Sequence, residues 1–289
     1  MSDNIPILSG LSDIAQRYDA LLCDVWGVVH NGREVFDGVA AALTAFRKER
    51  GPVLLLTNAP RPSSVIPAQL DRLGLPAAAY DGVVTSGDAT RAELSARAPG
   101  PAFHLGPDRD DALFEGTGLE RAALDTARFI ICTGLWDDET ETPEDYRAFF
   151  NDALAKGLPL LCANPDIIVK RGDKTIYCAG ALAAFYTELG GQSLYVGKPH
   201  DPIYNLAYER LAQIVGRKVE KSKVLAIGDG MGTDIAGANG QDVDVLFIGG
   251  GIHGAEAQSD DGALDGERLN AFFAAEGRTA IGALPRLVW

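Results

Sequence analysis

Two apolar segments of this chain end in an aspartate at the same relative place. Ala20-Leu21-Leu22-Cys23 runs into Asp24, and Val224-Leu225-Ala226-Ile227-Gly228 runs into Asp229. A short apolar run of this kind reads as a strand buried on both faces. A carboxylate at the carboxyl end of such a strand is where open parallel sheets place their ligands. Two of them, from opposite ends of the chain, point to one metal site assembled from both ends.

The rest of the chain agrees with a parallel sheet. Short apolar runs alternate with helical patterns, as crossover connections require. The pattern predicts strands at 20–24, 53–57, 129–133, 158–162, 193–197, 224–228 and 244–248. Asp201 before Pro202 reads as a helix N-cap, with Gly216 closing that helix. Thr142 and Asp145 around Pro143 resemble a capping box. Asp37 is placed to cap a helix that turns Val39, Leu43 and Phe46 inward and ends at Gly51-Pro52. The stretch 90–191 separates the early strand tips from the late ones and carries its own strands and helices. The expected organisation is a core of residues 1–89 and 192–289 with residues 90–191 inserted, leaving near Ser86-Gly87-Asp88 and returning at Gly191-Gln192.

Composition narrows the partners. The net charge is −14, which argues against nonspecific nucleic-acid binding but not against small anions held by a metal and a few buried cations. The hydrophobic fraction of 46% supports a substantial core. Cys23, Cys132, Cys162 and Cys178 lie in apolar contexts without CxxC spacing, as reduced core cysteines of a cytoplasmic protein would. No leader pattern and no membrane-spanning run is read in the sequence.

Four polar strand tips or loops stand out in chain order: Asp24, Thr57-Asn58, Lys198, and Asp229 with Asp234. Taken singly, each reads as a turn, a cap or a solvated charge. Together they match what phosphoryl transfer to a carboxylate needs. Asp24 is the candidate nucleophile. Lys198, the Thr57 hydroxyl and the Asn58 backbone N–H supply charge and donors for phosphoryl oxygens. Asp24 and Asp229 would hold Mg²⁺, which takes few protein oxygens beside water and phosphate.

At these motifs the chain resembles the haloacid dehalogenase superfamily, and within it the class IIA branch of nucleotide, sugar-phosphate and p-nitrophenyl phosphatases. The matching segments are Asp24-Val25-Trp26-Gly27-Val28, Leu56-Thr57-Asn58, Val196-Gly197-Lys198-Pro199 and Gly228 to Ile235, with Asn164-Pro165-Asp166 and Ala179-Gly180-Ala181-Leu182 in the insertion. The resemblance implies an α/β fold, a Rossmann-like parallel-sheet core with an inserted C2-type α/β cap. It implies Mg²⁺ bound by Asp24, the backbone carbonyl of Trp26, Asp229 and Asp234. It also implies a cap loop at Asn164 and Asp166 facing the leaving group of a small phosphorylated metabolite, and leaves open an oligomer formed through the cap.

One position departs from that pattern. The phosphatases of the family carry Asp two residues after the nucleophile, as general acid and base, whereas this chain has Trp26. General acid–base assistance is worth about 10²–10⁴-fold. The sequence therefore leaves several readings: a phosphatase favouring acidic leaving groups, a replacement acid such as His30 (less so His200 or His253), or a noncatalytic phosphometabolite-binding protein. A dehalogenase, which needs no Mg²⁺, fits the acidic set less well. Finally, Gly249-Gly250-Gly251-Ile252-His253-Gly254 contains a GxGxxG after a strand, but without the rest of a dinucleotide-binding unit it reads as a turn near the site.

Overall fold

The computed structural model describes residues 4–172 and 174–289. Its main sheet joins β1 (Ala20–Cys23), β2 (Val53–Thr57), β3 (Gly82–Thr85), β10 (Val224–Gly228), β11 (Asp244–Ile248) and β12 (Gly282–Leu284). All pairings are parallel and the order is β12-β11-β10-β1-β2-β3. The two acid-tipped strands, β1 and β10, are thus neighbours, with Cys23 level with Ile227. Asp24 N–H continues the ladder to Ile227 O at 2.8 Å.

Alternation along the strands feeds two hydrophobic layers. Ala20, Leu22, Leu54 and Ala226 face one cluster, while Leu21, Cys23, Val53, Leu55 and Leu225 face the other. Helices cover both faces, as an all-parallel sheet requires. Helix Val39–Glu49 turns Val39, Ala42, Leu43 and Phe46 onto one side, and helix Asp201–Val215 turns Ile203, Tyr204, Ala207 and Leu211 onto the other.

A second, four-stranded parallel sheet forms the cap. It joins β4 (Ala102–Leu105), β5 (Phe129–Cys132), β6 (Leu160–Cys162) and β9 (Ser193–Tyr195) in the order β4-β5-β6-β9. The strands β7 (Ile168–Arg171) and β8 (Lys174–Tyr177) form an antiparallel pair. Helices Arg147–Ala155 and Ala179–Glu188 pack on the sheet's outer face through Phe150, Ala153, Leu182 and Tyr186. The inner face, including Phe129, Ile131 and Leu161, joins the cluster that holds Val84 and Ala89 of the core and Leu94 of the helix leading into the cap. The fold is therefore a Rossmann-like α/β core with an inserted cap.

Two expected boundaries move. Ser193 to Tyr195 lies on the core side of a return at 191–192, yet it hydrogen-bonds to β6 as the edge of the cap sheet, so the crossing comes after Tyr195. Ser86-Gly87-Asp88 is no linker: helix Ser86–Arg97 begins there, capped by Thr85 and Asp88 in a reciprocal capping box. At two other ends a neighbour takes the cap position: Gly38, in a left-handed conformation, rather than Asp37, and His200 rather than Asp201. The Thr142–Asp145 box and the Gly216 stop are as expected. No helix among the described residues is long and apolar enough to cross a membrane.

Candidate active site

The carboxyl ends of β1 and β10 bring Asp24, Asp229 and Asp234 together. All three are buried, and a carboxylate oxygen from each lies within 4.8 Å of the others. Asp234 gets there through a π-helical turn, Met231–Ile235, a geometry that often marks functional sites. Its Oδ2 accepts from Gly230 N–H at 3.1 Å. Asp229 Oδ2 accepts from Ile252 N–H at 2.8 Å.

Two glycines make room for Asp229. Gly27 has φ +92°, and a Cβ on it would collide with the Asp229 carboxylate, as would a Cβ on Gly251. The GxGxxG segment thus serves as a wall of the carboxylate cluster.

Lys198 is the cation of the cluster. Its Nζ donates to Asp24 Oδ1 at 2.5 Å, to Asp234 Oδ1 at 2.6 Å and to Leu56 O at 3.1 Å. It follows a cap strand rather than a core strand, and Asn58 holds its backbone in place. Asn58 Oδ1 accepts from Lys198 N–H at 2.7 Å, and its Nδ2 donates to Lys198 O at 3.1 Å and to Asp166 Oδ1 at 2.8 Å. The Asn58 side chain therefore braces Lys198 and ties it to the cap. Asn164 is used within its own loop, where Oδ1 accepts from Asp166 N–H at 3.1 Å. Thr57 Oγ1, buried at the tip of β2, accepts only a long bond from Ala59 N–H at 3.3 Å.

The electrostatics follow from burial. Burial, then the charge of Asp234, raises Asp24 well above the usual carboxylate range. The same causes push Asp229 up to about 7. Burial alone would lower Lys198, but Asp234 and Asp24 outweigh it and raise its pKa. Carboxylate charges 4.8 Å apart repel by roughly 3–4 kcal/mol at an effective dielectric near 20. A divalent cation would favour the ionised form of all three, and three carboxylates facing one ammonium then leave two negative charges for it to balance. The donor set is all oxygen, as Mg²⁺ prefers, so the residues fit the ion.

The Trp26 side chain does not join this cluster. Its indole Nε1–H donates to Lys170 O on β7 at 2.7 Å, joining the core to the cap hairpin. Its ring meets His30 edge-on, centroids 5.1 Å apart. His30 is buried, its Nδ1 accepts from Gly32 N–H at 3.0 Å, and burial lowers its pKa to about 4. It is a neutral imidazole at pH 7, with its proton on Nε2. His200 stacks on Tyr195 and His253 lies beside Phe272.

Two cavities open around these groups. A cleft of about 880 Å³ contains Asp24, Lys198, Asp229 and Asp234. A smaller cavity of about 120 Å³ reaches Thr57, His30 and Arg61. Trp26, Asp166 and Val169 line both.

Sequence reasoning missed Ser86, whose Oγ lies 2.7 Å from Asn58 O and 2.5 Å from Ala163 O, between the core loop and the cap. It also missed Arg61. The signal for Ser86 was the capping pattern from Thr85 to Asp88; none marked Arg61.

A family model for haloacid dehalogenase-like hydrolases matches residues 21–120, and one described as HAD-hydrolase-like matches 195–266. A solved hydrolase of the haloacid dehalogenase-like family from Brucella suis is 45% identical, with TM-score 0.87, covering 98% of this chain and 100% of that one. The chain belongs to the haloacid dehalogenase-like hydrolases. An acid sugar phosphatase from Staphylococcus saprophyticus is 25% identical, over 82% of this chain and 88% of its own length. A D-glycerol 3-phosphate phosphatase from Mycobacterium tuberculosis is 26% identical, over 85% of this chain and 67% of its own.

Proposed function

We propose that this hydrolase is a Mg²⁺-dependent phosphatase of small phosphate esters, of the sugar-phosphate or nucleoside monophosphate class. One observation carries the reading: Lys198 Nζ bridges Asp24 and Asp234 inside a buried carboxylate cluster at the ends of adjacent parallel strands. The phosphatase names of the curated relatives support it.

Asp24 attacks phosphorus through one carboxylate oxygen, and the bond from phosphorus to the ester oxygen breaks. Lys198 and the Thr57 hydroxyl hold the phosphoryl oxygens. The leaving alkoxide takes a proton from water; water then attacks phosphorus, the bond from phosphorus to the Asp24 oxygen breaks, a proton passes to solvent, and phosphate leaves with the Asp24 carboxylate restored. Asp24, Asp229, Asp234 and the Trp26 carbonyl would hold Mg²⁺, which supplies charge to offset the phosphoryl oxygens when bound. Trp26 offers no proton to the leaving oxygen, so esters of acidic alcohols are favoured over alkyl esters.

The test is hydrolysis of p-nitrophenyl phosphate with Mg²⁺, with EDTA, and by Asp24→Asn. Turnover lost in both controls supports the reading. Turnover that survives Asp24→Asn removes it.

A further inference from the structure

The smaller cavity is lined by three arginines: Arg61 from the core and Arg109 and Arg171 from the cap. Thr57, the last residue of β2, stands in its wall four positions before Arg61, so the two Cα atoms lie no more than about 14 Å apart. Thr57 and Arg61 thus line one cavity, into which a ligand held at Thr57 through its phosphoryl group would extend.

The guanidinium groups are unevenly paired. Arg109 and Arg171 both bond to Asp138, at 2.5 and 2.9 Å, and Arg171 also bonds to Glu139 at 2.7 Å. Arg61 is different. Its Nη2 donates to the neutral Gln69 at 2.9 Å, and Asp110 stands 4.0 Å from its Nε, beyond hydrogen-bond length. Burial lowers the pKa of Arg61, and the charge of Asp110 offsets only part of that effect. Burial also raises the pKa of Asp110 and of Asp166. The Arg61 side chain is 29% exposed and its guanidinium makes one hydrogen bond among the described residues, to Gln69, which leaves donors for a carboxylate or phosphate bound through paired N–H groups.

We propose that this cavity is a subsite for a second anionic group, a carboxylate or a further phosphate, on the substrate's leaving group, received by Arg61 with Arg109 and Arg171 beside it. The proposal deepens the phosphatase reading and rests on it for the position of the first phosphate. It makes the substrate a small phosphorylated acid or bisphosphate rather than a neutral sugar phosphate.

Binding of phosphonates, which are not hydrolysed, tests it independently of turnover. Titration calorimetry with Mg²⁺ in excess would compare phosphonobutyrate and propylene bisphosphonate with butylphosphonate, which has an apolar tail. At least one of the two acids binds about tenfold or more tighter than butylphosphonate, and the tighter one identifies the second group. Arg61→Met brings the preferred acid close to butylphosphonate, and Arg109→Met, on a more exposed side chain, reduces the preference in the same direction. Equal affinity for all three ligands, absence of binding, or a uniform loss in Arg61→Met overturns the subsite. Hydrolysis of p-nitrophenyl phosphate by the same samples reads the phosphatase separately. Turnover without preference leaves the phosphatase standing and removes the subsite, and preference without turnover does the reverse.

Discussion

The indole N–H of Trp26 ends on Lys170 O, so the residue two positions after Asp24 is spent on holding the cap hairpin. A hydrogen bond of this kind contributes about 1 kcal/mol. Trp26→Phe keeps the ring against His30 and removes the donor. Amide hydrogen exchange in the hairpin strands, 168–171 and 174–177, should quicken by roughly fivefold relative to wild type. Unchanged exchange there would show that the contact does not hold the hairpin. His30, behind that ring, gives a pH signature. Its pKa is about 4 in the folded chain, below the 6.5 of a free imidazole, so the unfolded chain binds more protons between those values. Its contribution is therefore whole above pH 6.5 and falls as pH drops towards 4. Between pH 7 and pH 5 the loss is on the order of 2 kcal/mol. Denaturant unfolding should show a loss in wild type that is smaller in His30→Gln by about that amount.

Helix Ser86–Arg97 starts without a linker at the tip of β3, and its first turn joins the core to the cap. The Thr85 hydroxyl accepts from Asp88 N–H at 2.9 Å, and the Asp88 carboxylate accepts from Thr85 N–H at 3.1 Å. Thr85→Ala should cost about 1 kcal/mol in unfolding free energy, and no change would show that the cap is redundant there. The same pattern was legible at Thr142 and Asp145 but not at Thr85 and Asp88, because Ser86-Gly87 resembles a flexible joint. Only the tertiary fold brings the Ser86 hydroxyl within reach of Asn58 O and Ala163 O. Strands with continuous apolar runs, such as β1, β2, β5, β10 and β11, were legible to within a residue. The half-buried β9, with Leu194 exposed, was legible as a strand but not as a cap strand, since which sheet an edge strand joins is not written in its own residues. Asp24, Asp229, Asp234 and Lys198 could be read as one group because each is a polar residue at an apolar strand end or in its following turn. Arg61 could not, because an arginine in a proline-rich loop carries no periodic signal.

At the scale of the whole molecule, the inner face of the cap sheet shares a hydrophobic cluster with the core. Lys198 reaches the core carboxylates from the chain that follows the cap's edge strand, while Asn58 and Asp166 join the two parts from the other side. The charge balance of the site and the seating of the cap thus depend on one set of contacts. The central claim is that Asp24 is phosphorylated during turnover. The most direct measurement is mass spectrometry of protein acid-quenched while hydrolysing acetyl phosphate with Mg²⁺. The account predicts a phosphoryl adduct on the peptide containing Asp24, absent with EDTA and absent in Asp24→Asn. Steady turnover with no adduct at Asp24, or with the adduct on another residue, would contradict it.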